Sequence, residues 1–325
     1  MIISRTPLRI SLAGGGSDLP AFWKRETGAV TSLAINKYIY ITVNKKFDDK
    51  IRASYSRTEI VDHQDELQHE LIREALKLVG IASGIEITSI SDIPSQGTGL
   101  GSSSTYTVGL LNALYTYLGK HAGARRLASE ACWIEIDLCG KPIGKQDQYI
   151  AAFGGLQHIQ FNPDGSVFVD PVVCKPETKR KLDEYLLMLY TGLTRSADTI
   201  LAEQQENLAQ NDKHRITRRL VNIAREMRDA LTANDVEAVG ELLHDAWMEK
   251  RKLASGITNA HIDEWYETAR KHGAIGGKIA GAGAGGFLVL FVPPEKQGDV
   301  IAALPALRPV PFALEPQGSK IIYIE

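Results

Sequence analysis

The chain has 325 residues, and its 37 Lys and Arg against 39 Asp and Glu give a formal charge of −2. Apolar residues make up 44% and charged residues 23%, the proportions of an ordinary globular protein. The near-neutral balance argues against a nucleic-acid binder working through a basic face, and no apolar run reaches the ~20 residues of a membrane span.

The length suits roughly two domains. Cys132, Cys139 and Cys174 are an odd count without a CxxC pair. That pattern fits a reducing compartment and speaks against a disulfide framework or a structural zinc site. Residues 1–7 lack a basic segment followed by a long apolar core, so no signal peptide is expected and the cytoplasm is the expected compartment.

In chain order, Leu8 to Leu12 alternates like a half-buried strand, and Ala13-Gly14-Gly15-Gly16-Ser17-Asp18 breaks it. Two β-rich runs follow over 29–44, then a helix over 64–79 with Leu67, Leu71, Ala75 and Leu78 on one side. Ile85 to Ile90 alternates again. A Gly/Ser-rich loop runs from Pro94 to Ser104. Helices are expected over roughly 104–118 and 122–138, the second with Leu127, Ala131, Ile134 and Leu138 as its stripe. Asn162-Pro163-Asp164-Gly165 marks the turn of a strand pair.

The charged segment from Lys175 to Glu184 then suggests a domain boundary. Beyond it the pattern predicts a strand at 185–190 and helices near 196–231, 235–254 and 259–272. A glycine-dense stretch at 276–286, a strand at 287–292, a helix at 295–303 and a closing strand at 320–324 complete the chain. Strands and helices interleave in both halves, so the class is mixed α and β.

Gly97-Thr98-Gly99-Leu100-Gly101-Ser102-Ser103-Ser104 lies after a strand and before a helix. Glycines let backbone approach a ligand, and the helix offers unpaired N–H groups and the positive end of its dipole. With three hydroxyls beside them, these features predict a phosphate site. No GxxxxGK[ST] occurs, so the loop is not a Walker A sequence. A dinucleotide fingerprint would need an acidic residue ~20 positions on, followed by a strand. Glu130 and Glu135 lie at opposite edges of one helical stripe, and spacing alone does not choose between them. Asp147 sits on a loop or helix start, where a capping role is the plain alternative. Arg9, flanked by apolar residues on a strand, is costly to bury unless it is paired or faces a ligand.

Three ordered motifs resemble the galactokinase–homoserine–mevalonate–phosphomevalonate (GHMP) kinase superfamily. They are Pro7 to Asp18, Pro94 to Ser104, and Lys278-Ile279-Ala280-Gly281-Ala282-Gly283-Ala284-Gly285-Gly286. Gly144 to Tyr149, Gly154-Gly155 and Tyr190-Thr191-Gly192 with Arg195-Ser196 resemble the group of D-glycero-D-manno-heptose 7-phosphate kinases within it. Fucokinase-type domains share several of these finer motifs.

The resemblance implies a two-domain α+β architecture. Residues 1–175 would form a mixed α/β domain and residues 176–325 a ferredoxin-like α+β domain, with the active site in the cleft between them. It implies ATP and Mg²⁺ as cofactors and a small sugar phosphate as substrate, phosphorylated at its anomeric hydroxyl for nucleotide-activated heptose and surface polysaccharide. No nucleic-acid or membrane partner is implied, and a homodimer is compatible.

By position, Gly97, Gly99, Leu100, Gly101, Ser102, Ser103 and Ser104 would wrap the ATP phosphates. Ser103 and Glu135 would bind Mg²⁺, with Glu130 and Asp137 the other acids near that site. Asp147 and Arg9 would be catalytic. Gly15, Gly16, Ser17, Asp18, Arg195 and Gly283 would contact the acceptor. A cationic cradle for a sugar phosphate is expected among Lys24, Arg25, Lys175, Arg195 and Lys278, with Arg195 preferred. The Glu135–Asp147 interval is one residue longer than in mevalonate-kinase-like members, and the first motif lacks the Gly-Glu-His of galactokinases.

Overall fold

The chain opens with strand β1 (Ile2–Ala13), followed by the short helix α1 (Pro20–Trp23) and the long strand β2 (Gly28–Lys45). The computed structural model describes residues 1–94, 97–193 and 197–325. Strands β3 (Ile51–Ser54) and β4 (Thr58–Val61) form a hairpin, then α2 (Glu70–Val79) leads into β5 (Ile85–Ser91). Helices α3 (Ser102–Tyr117), α4 (Ala124–Cys132) and α5 (Gln146–Phe153) precede the hairpin of β6 (Leu156–Phe161) and β7 (Val167–Pro171). The remainder begins with α6 (Pro176–Tyr185), β8 (Leu186–Tyr190), α7 (Ala197–Asn207), α8 (Asn211–Ala233), α9 (Val236–Lys250) and α10 (Ala260–Lys271). It closes with β9 (Gly276–Ile279), β10 (Phe287–Phe291), α11 (Pro294–Ala303), β11 (Arg308–Pro309) and β12 (Lys320–Ile324).

These strands build two sheets. The larger runs β12-β1-β2-β5-β3-β4, with β6 also paired to β2 and β7 outside β6. The run of β-formers over 29–44 is thus one strand, long enough to pair with β5 at one end and β6 at the other. Leu8, Ile10 and Leu12 are buried as the alternation predicts, but so are their neighbours. Helices α3, α8 and α9 all pack on β1, leaving no solvated face. Full burial of each such apolar side chain contributes about 1.5–3 kcal/mol.

The second sheet has the order β11-β8-β10-β9, and all its pairs are antiparallel. In chain order that is 4-1-3-2 within a β-α-β-β-α-β succession, the ferredoxin-like arrangement the sequence resemblance implies. A lysine ties the sheets together: Lys278 Nζ on β9 donates to the Ser11 carbonyl of β1 at 2.7 Å.

Several elements differ from the sequence expectation. The segment chosen as a boundary, Lys175 to Glu184, is mostly helix α6. The helix expected over 196–231 is two, broken after Asn207. The closing strand β12 pairs with β1 rather than joining the second sheet, so a division at 175/176 leaves one strand of the larger sheet in the second half. Leu138 is 43% exposed because the end of α4 widens into a π-turn over Trp133–Leu138. There Cys139 N–H bonds the Ile134 carbonyl, five residues back, which carries later side chains out of the α-helical stripe. Among the described residues no helix is long and apolar enough to cross a membrane.

Candidate active site

A cleft of about 720 Å³ opens between the two sheets. One wall is the glycine–serine loop and the N-terminus of α3; the other carries residues of α7, α9 and the third glycine segment. The loop takes its shape from close backbone packing. Gly99 has φ +73°, and a Cβ there would lie 2.3 Å from the Ala280 carbonyl oxygen. A Cβ on Gly281 would likewise lie 2.5 Å from Gly99 Cα. The third motif therefore rests directly on the second. Gly99→Ala should cost about 2 kcal/mol, the cost of overpacking at a left-handed position. A melting temperature unchanged from wild type would contradict this packing.

Gly101, at φ +79°, caps α3, so the N–H groups of Ser102 and Ser103 face the cleft without intrahelical acceptors. Ser103 Oγ donates to Glu135 Oε1 at 2.6 Å, and Gln148 Nε2 donates to Glu135 Oε2 at 2.6 Å. Glu135 is fully buried. Burial pushes its carboxyl up to about 7, against hydrogen bonds from Ser103, Ser104 and Gln148 that pull it down. Glu130 instead accepts from Tyr115 Oη and Arg126 Nε, and Asp137 is exposed. Glu135 meets Ser103 from within the π-turn.

Arg9 and Asp147 meet across 138 residues. Arg9 Nε and Nη2 bind the two carboxylate oxygens of Asp147 at 2.7 and 2.6 Å, and Nη1 donates to the Gly99 carbonyl at 2.6 Å. Asp147 lies in the first turn of α5, whose N-cap is Lys145, so it is not a cap. A Cβ on Gly101 would lie 3.1 Å from Asp147 Oδ2, which puts the pair against the start of α3.

Asp18 is buried and accepts from Gly16 N–H at 2.9 Å, Gln146 N–H at 3.3 Å and Gln146 Nε2 at 3.0 Å. Burial raises its pKa, and the Asp147 charge adds to the effect. Gly16, Asp18 and Gly283 line the cleft.

Other predicted site residues stand elsewhere. Ser17 is buried with its hydroxyl spent on the Gly14 and Ala29 carbonyls, so it is not open to an acceptor. Leu100 is core, and its carbonyl receives the Arg9 N–H. Gly15 approaches the site through its neighbours, since a Cβ there would lie 3.2 Å from Lys250 Nζ. Lys24, Arg25 and Lys175 are not among the cleft-lining residues, and Lys278 is consumed by its backbone carbonyls. Arg195 lies outside the described residues.

Sequence reasoning missed Lys250. It sits on α9 where an apolar residue belongs, in line with Leu243, Ala246 and Trp247, and a lysine in that stripe is the signal that could have found it. It is 5% exposed and lines the cleft. Burial pushes its pKa down to about 8, with the Asp18 charge opposing that shift.

Residues 68–155 match the GHMP kinases N terminal domain, and residues 227–308 the GHMP kinases C terminal family. A D-glycero-alpha-D-manno-heptose 7-phosphate kinase from Campylobacter jejuni is 30% identical over 93% of each chain. A bifunctional fucokinase/GDP-fucose pyrophosphorylase from Arabidopsis thaliana is 26% identical over 90% of this chain, which spans 30% of that longer protein. The crystal structure of a D-glycero-D-manno-heptose 1-phosphate kinase from Bacteriodes thetaiotaomicron shares the fold, with a TM-score of 0.82, 24% identity and full coverage of both chains. A glycine–serine loop packed on a third glycine segment, an inward glutamate and a ferredoxin-like second sheet thus agree with full-length similarity: the chain belongs to the GHMP kinase superfamily and is an ATP-dependent sugar kinase.

Proposed function

We propose that the chain transfers the γ-phosphoryl of ATP to the anomeric hydroxyl of D-glycero-alpha-D-manno-heptose 7-phosphate, giving the 1,7-bisphosphate and ADP. The substrate rests on the Campylobacter relative, similar across 93% of both chains. The chemistry rests on one observation: the Arg9–Asp147 pair lies against Gly101, the cap of the helix that follows the glycine–serine loop. The product, a sugar with an anomeric phosphate, is suited to nucleotide activation on the way to surface polysaccharide. Such a role fits the cytoplasm.

Phosphoryl transfer needs positioning and charge neutralisation more than covalent help from the protein. The N–H groups at the start of α3 and the serine hydroxyls bind the triphosphate. Asp147 orients the acceptor hydroxyl and accepts its proton as the new bond to the γ-phosphorus forms. The bond to the β–γ bridging oxygen breaks, and ADP leaves. Arg9 fixes the carboxylate of Asp147, and its remaining N–H groups face the charge that develops on the transferring group.

Ser103 and Glu135 fit Mg²⁺. A buried carboxylate with no cationic partner, next to a hydroxyl and a phosphate site, is the hard oxygen set this ion takes. Among the described residues no cluster of three acidic, His or Cys ligands could hold an ion alone, so phosphate oxygens and water would complete its sphere. Bound there, Mg²⁺ supplies charge neutralisation at the polyphosphate.

A second reading, a 1-kinase for fucose, is favoured by the fucokinase relative. An acceptor panel with coupled ADP detection decides between them. The heptose reading predicts a kcat/KM for heptose 7-phosphate at least tenfold above that for fucose, with the new phosphate on the anomeric oxygen by ³¹P NMR. The reverse preference would establish the fucose reading.

A further inference from the structure

We propose that Lys250 selects an acceptor that already carries a phosphate group, by binding that anion in the cleft beside Gly15. The inference rests on the sugar-phosphate kinase reading and adds the residue that would make the choice.

Contacts order the cleft. The Gly99–Gly101 loop touches the Arg9–Asp147 pair. Gln146, next in sequence to Asp147, holds Asp18. Gln146 and Lys250 both flank Gly15, whose Cβ position lies 3.6 Å from Gln146 Nε2 and 3.2 Å from Lys250 Nζ. A side chain at residue 15 would crowd the ammonium; glycine leaves it open. Lys250 therefore stands beside Gly15 on the Gln146–Asp18 side of the cleft, within reach of the Arg9 and Asp147 charges.

The charges there are answered unequally. Asp147 answers Arg9 through two short hydrogen bonds, and three N–H donors answer Asp18. Among the described residues Lys250 makes no hydrogen bond or ion pair, and the charges of Asp18 and Asp147 reach it only without direct contact. A largely buried side chain whose ammonium opens on the cleft with no direct partner offers an incoming anion a favourable contact. Its surroundings are prepared in the same sense. Gln204 on α7 is 2% exposed with both amide atoms unpartnered, and its Oε1 lies 3.5 Å from the Cβ position of Gly16. Ser11 Oγ and Gln146 Oε1 are also buried and unpartnered. Unmatched polar groups beside Gly15 and Gly16, with Lys250 among them, are what a phosphorylated, hydroxyl-bearing ligand would satisfy.

The test uses the full chain with saturating ATP and Mg²⁺, and two acceptors: heptose 7-phosphate and the same heptose without its phosphate. Wild type, Lys250→Met and Lys250→Arg are compared. Methionine keeps the length of the stem and removes a buried charge, so folding should hold, and melting curves check this. The expected result is a KM for the phosphorylated acceptor raised roughly 10- to 100-fold in Lys250→Met, the worth of one charge-assisted hydrogen bond. The KM for the free heptose should stay within about threefold, and Lys250→Arg should recover most of the loss. Equal losses on both acceptors, or no change on either, would overturn the assignment to Lys250. A wild type that prefers the free heptose, or uses neither sugar, would instead overturn the sugar-phosphate reading itself.

Discussion

Asp147→Asn is expected to lower kcat by about 10²- to 10⁴-fold, the contribution of a positioned general base, while the affinity for ATP changes less than about threefold. Asparagine keeps one acceptor for Arg9 but cannot take a proton from the acceptor hydroxyl. It also leaves a guanidinium that is 5% exposed without a full countercharge. The variant should therefore melt lower than wild type as well, because removing one partner of a buried pair strands the other. The two effects separate by experiment. Rates measured well below the melting transition report the chemistry, and calorimetric titration with an ATP analogue reports the nucleotide site. Turnover within tenfold of wild type in a folded variant would remove Asp147 from the proton transfer. A loss of ATP affinity equal to the loss of turnover would place its contribution at the nucleotide instead.

The second large effect concerns Glu135, read through pH. Its folded pKa of about 7 stands above the ordinary 4.5. The folded state thus holds this proton more tightly than the unfolded state does. Its contribution to stability is complete below about pH 4.5, declines as pH rises through about 7, and is flat above that. At about 1.4 kcal/mol per unit the whole decline is about 3 kcal/mol. Without divalent cations, Glu135→Gln should escape it and become more stable than wild type by an amount that grows from pH 5 to pH 7.5. The exchange is sterically simple. The Gln148 Oε1 atom has no partner, and a turn of that amide would offer it to the new Nε2. Melting curves of the two proteins in EDTA across this range make the check, and parallel profiles would contradict the buried, raised carboxyl. The same variant should lose at least about 10²-fold in turnover, since a neutral amide cannot replace the carboxylate beside the polyphosphate. A more stable but inactive variant is the mark of a residue kept for chemistry at the expense of the fold.

Much of the site was legible because its requirements are local. Backbone that must approach other backbone needs glycine at the approaching residue, and a helix that offers N–H groups to an anion needs hydroxyls beside its first turn. Both demands are written within the segment 97–104, and the strand alternation around Arg9 is equally local. An arginine inside that apolar pattern announced a partner without naming it.

What the chain alone left open depended on which segments meet. Asp147 reaches Arg9 only because α5 packs on β1. Glu135, which the family resemblance picks over Glu130, contacts Ser103 from within the π-turn, a register change that periodic reading at 3.6 residues per turn passes over. Lys250 enters the cleft because α9 lies against β9 and β1, and β12 returns to the first sheet because β1 offers it a free edge. The sequence by itself determined the glycine–serine loop, the class of fold and the family resemblance. Tertiary structure decided the ion pair, the contact between Ser103 and Glu135 and the place of the buried lysine. Contacts between residues far apart in the chain are settled by the packing of whole elements, and no window of sequence contains that information.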